Sequence, residues 1–303
     1  MSLAAVILLS ISAVTHASWN MLAKRQPTPS AAFFLAANSV GFIALFPFLA
    51  WHATILTAFP PKVWVLVVFA GLFMAFYYCC LAGAYRAGDM SLAYPLARSA
   101  SIVVVTLVTV ALGRRDQLSA QCMAGIVLVV IGCFLIPHQS LRALRLKNYL
   151  NTSCLFALAA AFGTAAYSMV DDEALRHLRF AFGAQLDTAS ITILYACLES
   201  LSASCWLVLF VRARPEEQVR LRETLRTHKR TAFVTGVGIY GTYTLVLISM
   251  AFVNNVSYVV AFRQLSIPLG AALGIVLLKE PAHKPRIAGI AIMSLGLALV
   301  GTG

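Results

Sequence analysis

Apolar residues follow one another along this chain in blocks of about twenty, parted by short polar breaks. A bilayer core about 30 Å thick is crossed by about 20 residues of α-helix, at roughly 1.5 Å of rise each. The pattern therefore predicts an all-α membrane protein with ten transmembrane helices, over residues 3–23, 31–51, 63–85, 91–112, 118–137, 152–170, 189–211, 231–253, 256–278 and 285–301. Two apolar stretches, 63–112 and 231–278, are too long for one span, and the turn-forming pairs Gly88-Asp89 and Asn254-Asn255 supply the breaks. The longest polar segment, 212–230, reads as an amphipathic or exposed loop. Asp171, Asp172 and Glu173 read as a solvated loop just past the end of span 6, and the apolar start as a retained first span.

The two halves of the pattern match. Laying Ser91 on Ser257 puts Gly88-Asp89 on Asn254-Asn255, Arg98 on Gln264 and Leu112 on Leu278. In the next span Ala124-Gly125-Ile126 meets Ala288-Gly289-Ile290, and Gly132 meets Gly296 at the same offset; Trp19-Asn20-Met21 meets Tyr167-Ser168-Met169. The expected organisation is thus two five-span repeats, 1–137 and 152–303, joined by a connecting loop, 138–151. Five is odd, so the second half would enter the membrane inverted relative to the first, the arrangement of alternating-access carriers around a midplane site.

Composition agrees with a bilayer as solvent: 60% of residues are hydrophobic and 11% charged, against about 45–50% and 25% in soluble domains. The net charge of +12 does not point to nucleic acid. Apart from Arg98 and Arg263, the basic residues lie in or beside the short segments between spans, where lipid head groups and the insertion machinery select them. Their excess in loops after odd-numbered spans puts those loops, and 212–230 among them, in the cytoplasm. The cysteines, all in or at the edges of spans, read as small buried hydrophobes. No metal or cofactor motif is present: Gly236-Val-Gly238-Ile-Tyr-Gly241 fits a nucleotide fingerprint in letters only, since no strand precedes it, and close helix packing accounts better for these glycines and for Gly270 and Gly274.

Candidate chemistry is confined to the few polar side chains inside spans. An Arg at the centre of a span costs about 2.5–3.5 kcal/mol on insertion scales, so Arg98 in span 4 and Arg263 in span 9 should face the interior. Tyr94 and Ser101 share a helical face with Arg98, as Ser266 does with Arg263, and Gln264 is the repeat partner of Arg98. Guanidinium groups beside hydroxyls suit a carboxylate or phosphate, although either Arg can instead snorkel or pair with a structural carboxylate. Pro95 and Pro268 interrupt these two spans and either free backbone groups for a site or kink the helices for packing. Span 1 carries Ser12, His16, Asn20 and Lys24 at spacings of four with Trp19 alongside; His16 either relays protons or is satisfied within the bundle, and Lys24 reads as an interfacial anchor. Glu199, near the centre of span 7 on a face with Thr192, Tyr195, Ser202 and Trp206, is either a proton carrier or the countercharge of an Arg. Tyr78, Tyr167 and Tyr243, with Tyr77, Tyr85 and Tyr240, are candidates for lining a cavity.

The run Gly88-Asp89-Met90-Ser91-Leu92-Ala93-Tyr94-Pro95-Leu96-Ala97-Arg98 resembles the EamA-type family of the drug/metabolite transporter superfamily. So do Val256-Ser257-Tyr258 through Pro268, Leu278-Lys279-Glu280-Pro281 and Arg286-Ile287-Ala288-Gly289-Ile290, and the similarity extends to the Trp19 to Lys24 ending of span 1. One departure stands out: where halves in that family commonly close their fourth span with Gly-Glu, this first half has Gly113-Arg114-Arg115. The resemblance implies ten helices, inverted repeats, a central cavity and export or exchange of metabolites. The resulting expectation is a secondary transporter, not an enzyme, in the inner (plasma) membrane. It would move a small anionic or zwitterionic metabolite by alternating access, with proton- or exchange-coupled efflux as one form of the cycle. Its partners would be that metabolite and the lipid bilayer, with no nucleic acid and a homodimer left open. A membrane-embedded enzyme, or a channel or accessory subunit, is the alternative; the sequence offers no metal motif, activated nucleophile or intramembrane Asp pair for the former.

Overall fold

The computed structural model describes the backbone of residues 1–23, 30–87, 90–140, 151–277, 279 and 281–303, and all of their side chains except those of 17–23, 90–95 and 277. Those residues form helices and no strand. In chain order they are α1 (Leu3–Ala23), α2 (Ala31–Trp51), α3 (Pro61–Ala87), α4 (Met90–Ala111), α5 (Ala120–Leu135), α6 (Thr152–Phe182), α7 (Thr188–Arg212), α8 (Pro215–Thr227), α9 (Lys229–Ser249), α10 (Val256–Phe262), α11 (Ser266–Leu277) and α12 (Lys284–Thr302). Among the described residues seven helical segments are long and apolar enough to cross a membrane, and the expected spans 1, 4 and 5 fall on the shorter apolar stretches Leu3–His16, Leu96–Ala111 and Ala120–Leu135. This is a multi-pass membrane protein. Its surface confirms the solvent: Ile43, Phe69, Leu107, Leu155, Phe162 and Phe233 are exposed, while Asn38, Asp171, Glu199, Ser200 and Gln264 are buried. Apolar outside with polar inside is the order that lipid imposes, because hydrocarbon leaves a polar group no partner but another part of the protein.

Local sequence sets where the helices begin. Ser30, Ser119 and Asn151 cap α2, α5 and α6 by accepting the amides of Phe33, Cys122 and Cys154. Asp187 caps α7 through the amides of Ala189 and Ser190 and the Ser190 hydroxyl, which together hold its carboxyl below the usual aspartate range. Asn255, half of the expected break, caps α10, whereas Gly88-Asp89 lies outside the described residues, between α3 and α4.

Three expectations are corrected. Span 6 does not end at Val170: α6 runs for 31 residues, about 46 Å, so the Asp-Asp-Glu run is helical and Asp171 is buried inside the protein. The 212–230 segment is not loop but contains α8, an amphipathic helix. The glycines expected to mediate packing divide: a Cβ on Gly236 would lie 2.3 Å from the Ala37 carbonyl oxygen, but one on Gly241 or Gly270 would meet nothing within 4 Å.

The helices pack in a regular scheme: α3 lies against α6 as α1 does against α9, and α3 against α7 as α2 does against α9. The remaining large interfaces join α4 to α6, α2 to α7 and α5 to α12. In the last of these, backbones nearly touch, since a Cβ on Gly125 would fall 2.6 Å from the Gly296 carbonyl oxygen and one on Gly132 2.8 Å from that of Gly289. One end of the bundle gathers the start of α1, where Ser2 N donates to Phe252 O (3.5 Å), and the start of α10 beside the end of α12, where the Tyr258 hydroxyl donates to Gly303 O (3.5 Å). At the other end the start of α6 is held to the end of α3 by Ser153 Oγ donating to Ala84 O (2.8 Å), and Arg86 meets Glu217 of α8 at 2.9 Å.

Candidate substrate and proton site

The span-9 helix is broken where its sequence requires it. Pro268 has no N–H for the carbonyl of Gln264, and the chain passes from α10 through a 3-10 turn, Arg263–Leu265, into α11. At this break Arg263 O accepts from Arg98 Nη2 (3.3 Å), and the same nitrogen lies 3.4 Å from Ser266 Oγ. Arg98, Arg263 and Ser266, picked out from two separate spans, are therefore neighbours. His16 joins them from α1, half-buried and within the electrostatic field of both arginines. The matching break expected at Pro95 does not occur, because α4 is continuous through that position.

Arg263 faces aromatic rings. Its guanidinium carbon is 6.0 Å from the Tyr243 ring centroid, within cation–π range, and among the described residues its Nη1 has no hydrogen-bond partner. From Tyr243 a line of rings crosses the bundle: Tyr167 edge-on at 5.9 Å, Tyr77 edge-on to Tyr167 at 5.8 Å, then Tyr78, which stacks on Phe34 at 4.8 Å. Four of the expected cavity tyrosines, Tyr77, Tyr78, Tyr167 and Tyr243, thus form one wall of rings.

Behind this wall are two fully buried carboxyls. Tyr195 donates to Asp171 Oδ1 at 2.7 Å, and the Tyr243 hydroxyl bonds Asp171 Oδ2 while lying 3.3 Å from Glu199 Oε1. Next to them, Tyr240 donates to Asn38 Oδ1, and Asn38 Nδ2 donates to Ser200 O and Ser204 Oγ, each at 2.8 Å, tying α2, α7 and α9 together. Among the described residues no group of three or more His, Cys, Asp or Glu side chains is arranged to hold a metal.

Some expected members stand elsewhere. The Ser101 hydroxyl is spent on the carbonyl of Arg98 in its own helix (2.8 Å), and Gln264 folds back on Val260 O (3.0 Å) with its Oε1 lacking a partner among the described residues. The face drawn through Glu199 splits: Tyr195 and Glu199 turn inward, while Ser202 and Trp206 reach Val68 O of α3. In span 1, Ser12 donates to Thr242 O (2.9 Å). The side chains of Tyr94, Trp19 and Asn20 lie outside the described residues, as do Lys24 and Glu280.

Asp171 and Asn38 are the members that sequence reasoning missed, and with Asp171 the nearness of its carboxyl to that of Glu199. Asp171 carried a signal. It stands four residues after Tyr167, on the same helical face, and Leu175, Leu178 and Phe182 continue that buried face beyond it. Ending the span on charge alone hid the continuation.

Comparison with known proteins agrees with this architecture. None of the curated proteins compared with the chain matches it. A solved crystal structure matches 99% of this chain with 96% of its own length, at a TM-score of 0.70 and 14% sequence identity, a likeness of fold. Residues 3–137 match the EamA-like transporter family.

Proposed function

We propose that the protein is a secondary carrier of a small anionic or zwitterionic metabolite, built as two inverted five-span halves, with Arg98 and Arg263 drawing the anion to the break in span 9. The observation that carries the proposal is the convergence of these arginines: from matching spans, the Arg98 guanidinium reaches the backbone carbonyl of Arg263, and the half-buried Arg263 side chain lies over the Tyr243 ring with an Nη1 that no described residue satisfies. Charges kept in so apolar a place are expected to serve a ligand.

The inverted arrangement is supported by packing. Exchanging the halves carries the contact of α3 with α6 onto that of α1 with α9, and leaves those of α2 with α7 and α5 with α12 in place. The repeat-equivalent glycines cross-pair, Gly125 with Gly296 and Gly132 with Gly289, as antiparallel helices about a two-fold axis require. The end that bears α8 is the cytoplasmic one by its basic residues, which puts both described termini at the opposite face of the inner membrane. His16 and Glu199 are the candidates for coupling transport to protons.

The test is counterflow in proteoliposomes, in which vesicles preloaded with one unlabelled anion (phosphate, pyruvate, glutamate or citrate) take up the same labelled anion. A saturable signal for at least one, abolished by Arg263→Ala and Arg98→Ala in protein that remains monodisperse, is the expected outcome. Normal flux in both variants overturns the site, and flux that never saturates indicates a channel.

A further inference from the structure

The contacts of Tyr243 count protons. A phenol has one hydrogen to donate, yet the Tyr243 oxygen touches Asp171 Oδ2 and, at 3.3 Å, Glu199 Oε1. If its hydrogen goes to Asp171, which also receives that of Tyr195 at 2.7 Å, the contact with Glu199 is a hydrogen bond only when Glu199 is protonated and donates. If it goes to Glu199, Asp171 must carry the proton. Two ionised carboxylates would place like charges around a single hydrogen with no water, since both residues are 0% exposed; such pairs hold one proton between them. Glu199 Oε2, moreover, has no hydrogen-bond partner among the described residues, so none of them donates to offset a charge there.

The surroundings supply one positive charge for the pair. Arg263, at the end of α10, faces Asp171 from beyond the Tyr243 ring. Among the described residues the other titratable groups around the pair are the phenols of Tyr167 on α6, Tyr195 on α7, Tyr78 on α3 and Tyr240 on α9, and the carboxyl of Asp172. Asp172, the next residue along, is held by Arg176 at 2.9 Å. One cation balances one carboxylate, and the second stays neutral.

We infer that Asp171 and Glu199, bridged by Tyr243, form a proton-binding site that holds one proton at neutral pH. Its consequence rests on the carrier reading: losing the proton gives Arg263 a second carboxylate neighbour and makes it a poorer anion binder, so proton and anion favour each other's binding reciprocally.

Infrared difference spectroscopy of the purified chain over a pH titration reads the proton with no substrate present. Failure of this test therefore leaves the carrier reading standing, and a failed counterflow screen leaves the proton site standing. The expected result is a carboxylic acid carbonyl band present at neutral pH and lost on titration to alkaline pH. Glu199→Gln abolishes the band, because Asp171 alone is ionised against Arg263; Asp171→Asn keeps it; and Tyr243→Phe, which leaves the ring in place, shifts its frequency. Absence of a band in the wild type, or a band indifferent to all three substitutions in monodisperse protein, overturns the inference.

Discussion

The crossing of α5 and α12 allows a substitution whose sign, not only its size, is predictable. A Cβ added to Gly125 would stand 2.6 Å from Gly296 O, and one added to Gly296 would stand 2.7 Å from Gly125 O, where ordinary contact begins near 3.4 Å. The atoms met are backbone and cannot swing away, so alanine at either position must part the helices by about 0.7 to 0.8 Å. A gap of about 0.5–1 Å forfeits a quarter to a half of each van der Waals well along the interface, and overpacking of this kind costs about 1–3 kcal/mol. Against it stands the helix preference of alanine over glycine, up to about 1 kcal/mol. The net expectation for Gly125→Ala or Gly296→Ala is destabilisation of about 1 kcal/mol, read as lower thermal stability in detergent. Once the helices are parted the second substitution meets less resistance, so the double variant should cost less than the sum of the singles. Gly241→Ala is the internal control: nothing lies within 4 Å of its added Cβ, and helix preference alone should leave it neutral or slightly stabilised. If Gly125→Ala and Gly296→Ala stabilise the protein as that control does, the close crossing of the two halves is wrong.

Other consequences are as specific. Glu217→Ala strips the buried Ala32 amide of its acceptor at 2.9 Å and removes the pairings with Arg86 and Arg220; losing the acceptor costs about 1–3 kcal/mol and the half-exposed pairs less than about 1 kcal/mol each, so α8 should detach locally and trypsin should cut faster at Arg220, Arg222 and Arg226, with unchanged cleavage refuting the anchor. Asn38→Ala unties α2 from α7 and α9 and leaves the Tyr240 hydroxyl only the weak Met74 sulfur at 3.9 Å, a loss of about 2 kcal/mol visible as a lower melting temperature. At the edge of the bundle, the depressed Asp187 carboxyl favours the folded state while ionised. Its stabilising effect is full above the unfolded aspartate range and lost as pH falls through its lowered value; the gap in thermal stability between wild type and Asp187→Ala should narrow in acid, and a gap that widens would reverse the sign.

Much of this molecule is written in local pattern. Lipid demands long apolar blocks, so the apolar helices and the break at Asn255 are legible from residue order, and the conspicuous glycines of α5 and α12 are the ones that meet. So was the singularity of Arg98 and Arg263, because a charge in an apolar block is conspicuous wherever its helix ends up. Contact was not legible. Ser101 and Ser266 sit on equally promising faces and each bonds the carbonyl three residues back, yet Ser266, at the break Arg263–Leu265, also lies against Arg98. Asp171 is the plainest case: an Asp-Asp-Glu run looks the same whether it leaves the membrane into water or turns one carboxyl back into the bundle. Only the packing of α6 among α3, α4 and α7 placed Asp171 between Tyr195 and Tyr243. Hydrophobicity summed along a segment cannot distinguish the faces of a helix, and burial is decided face by face.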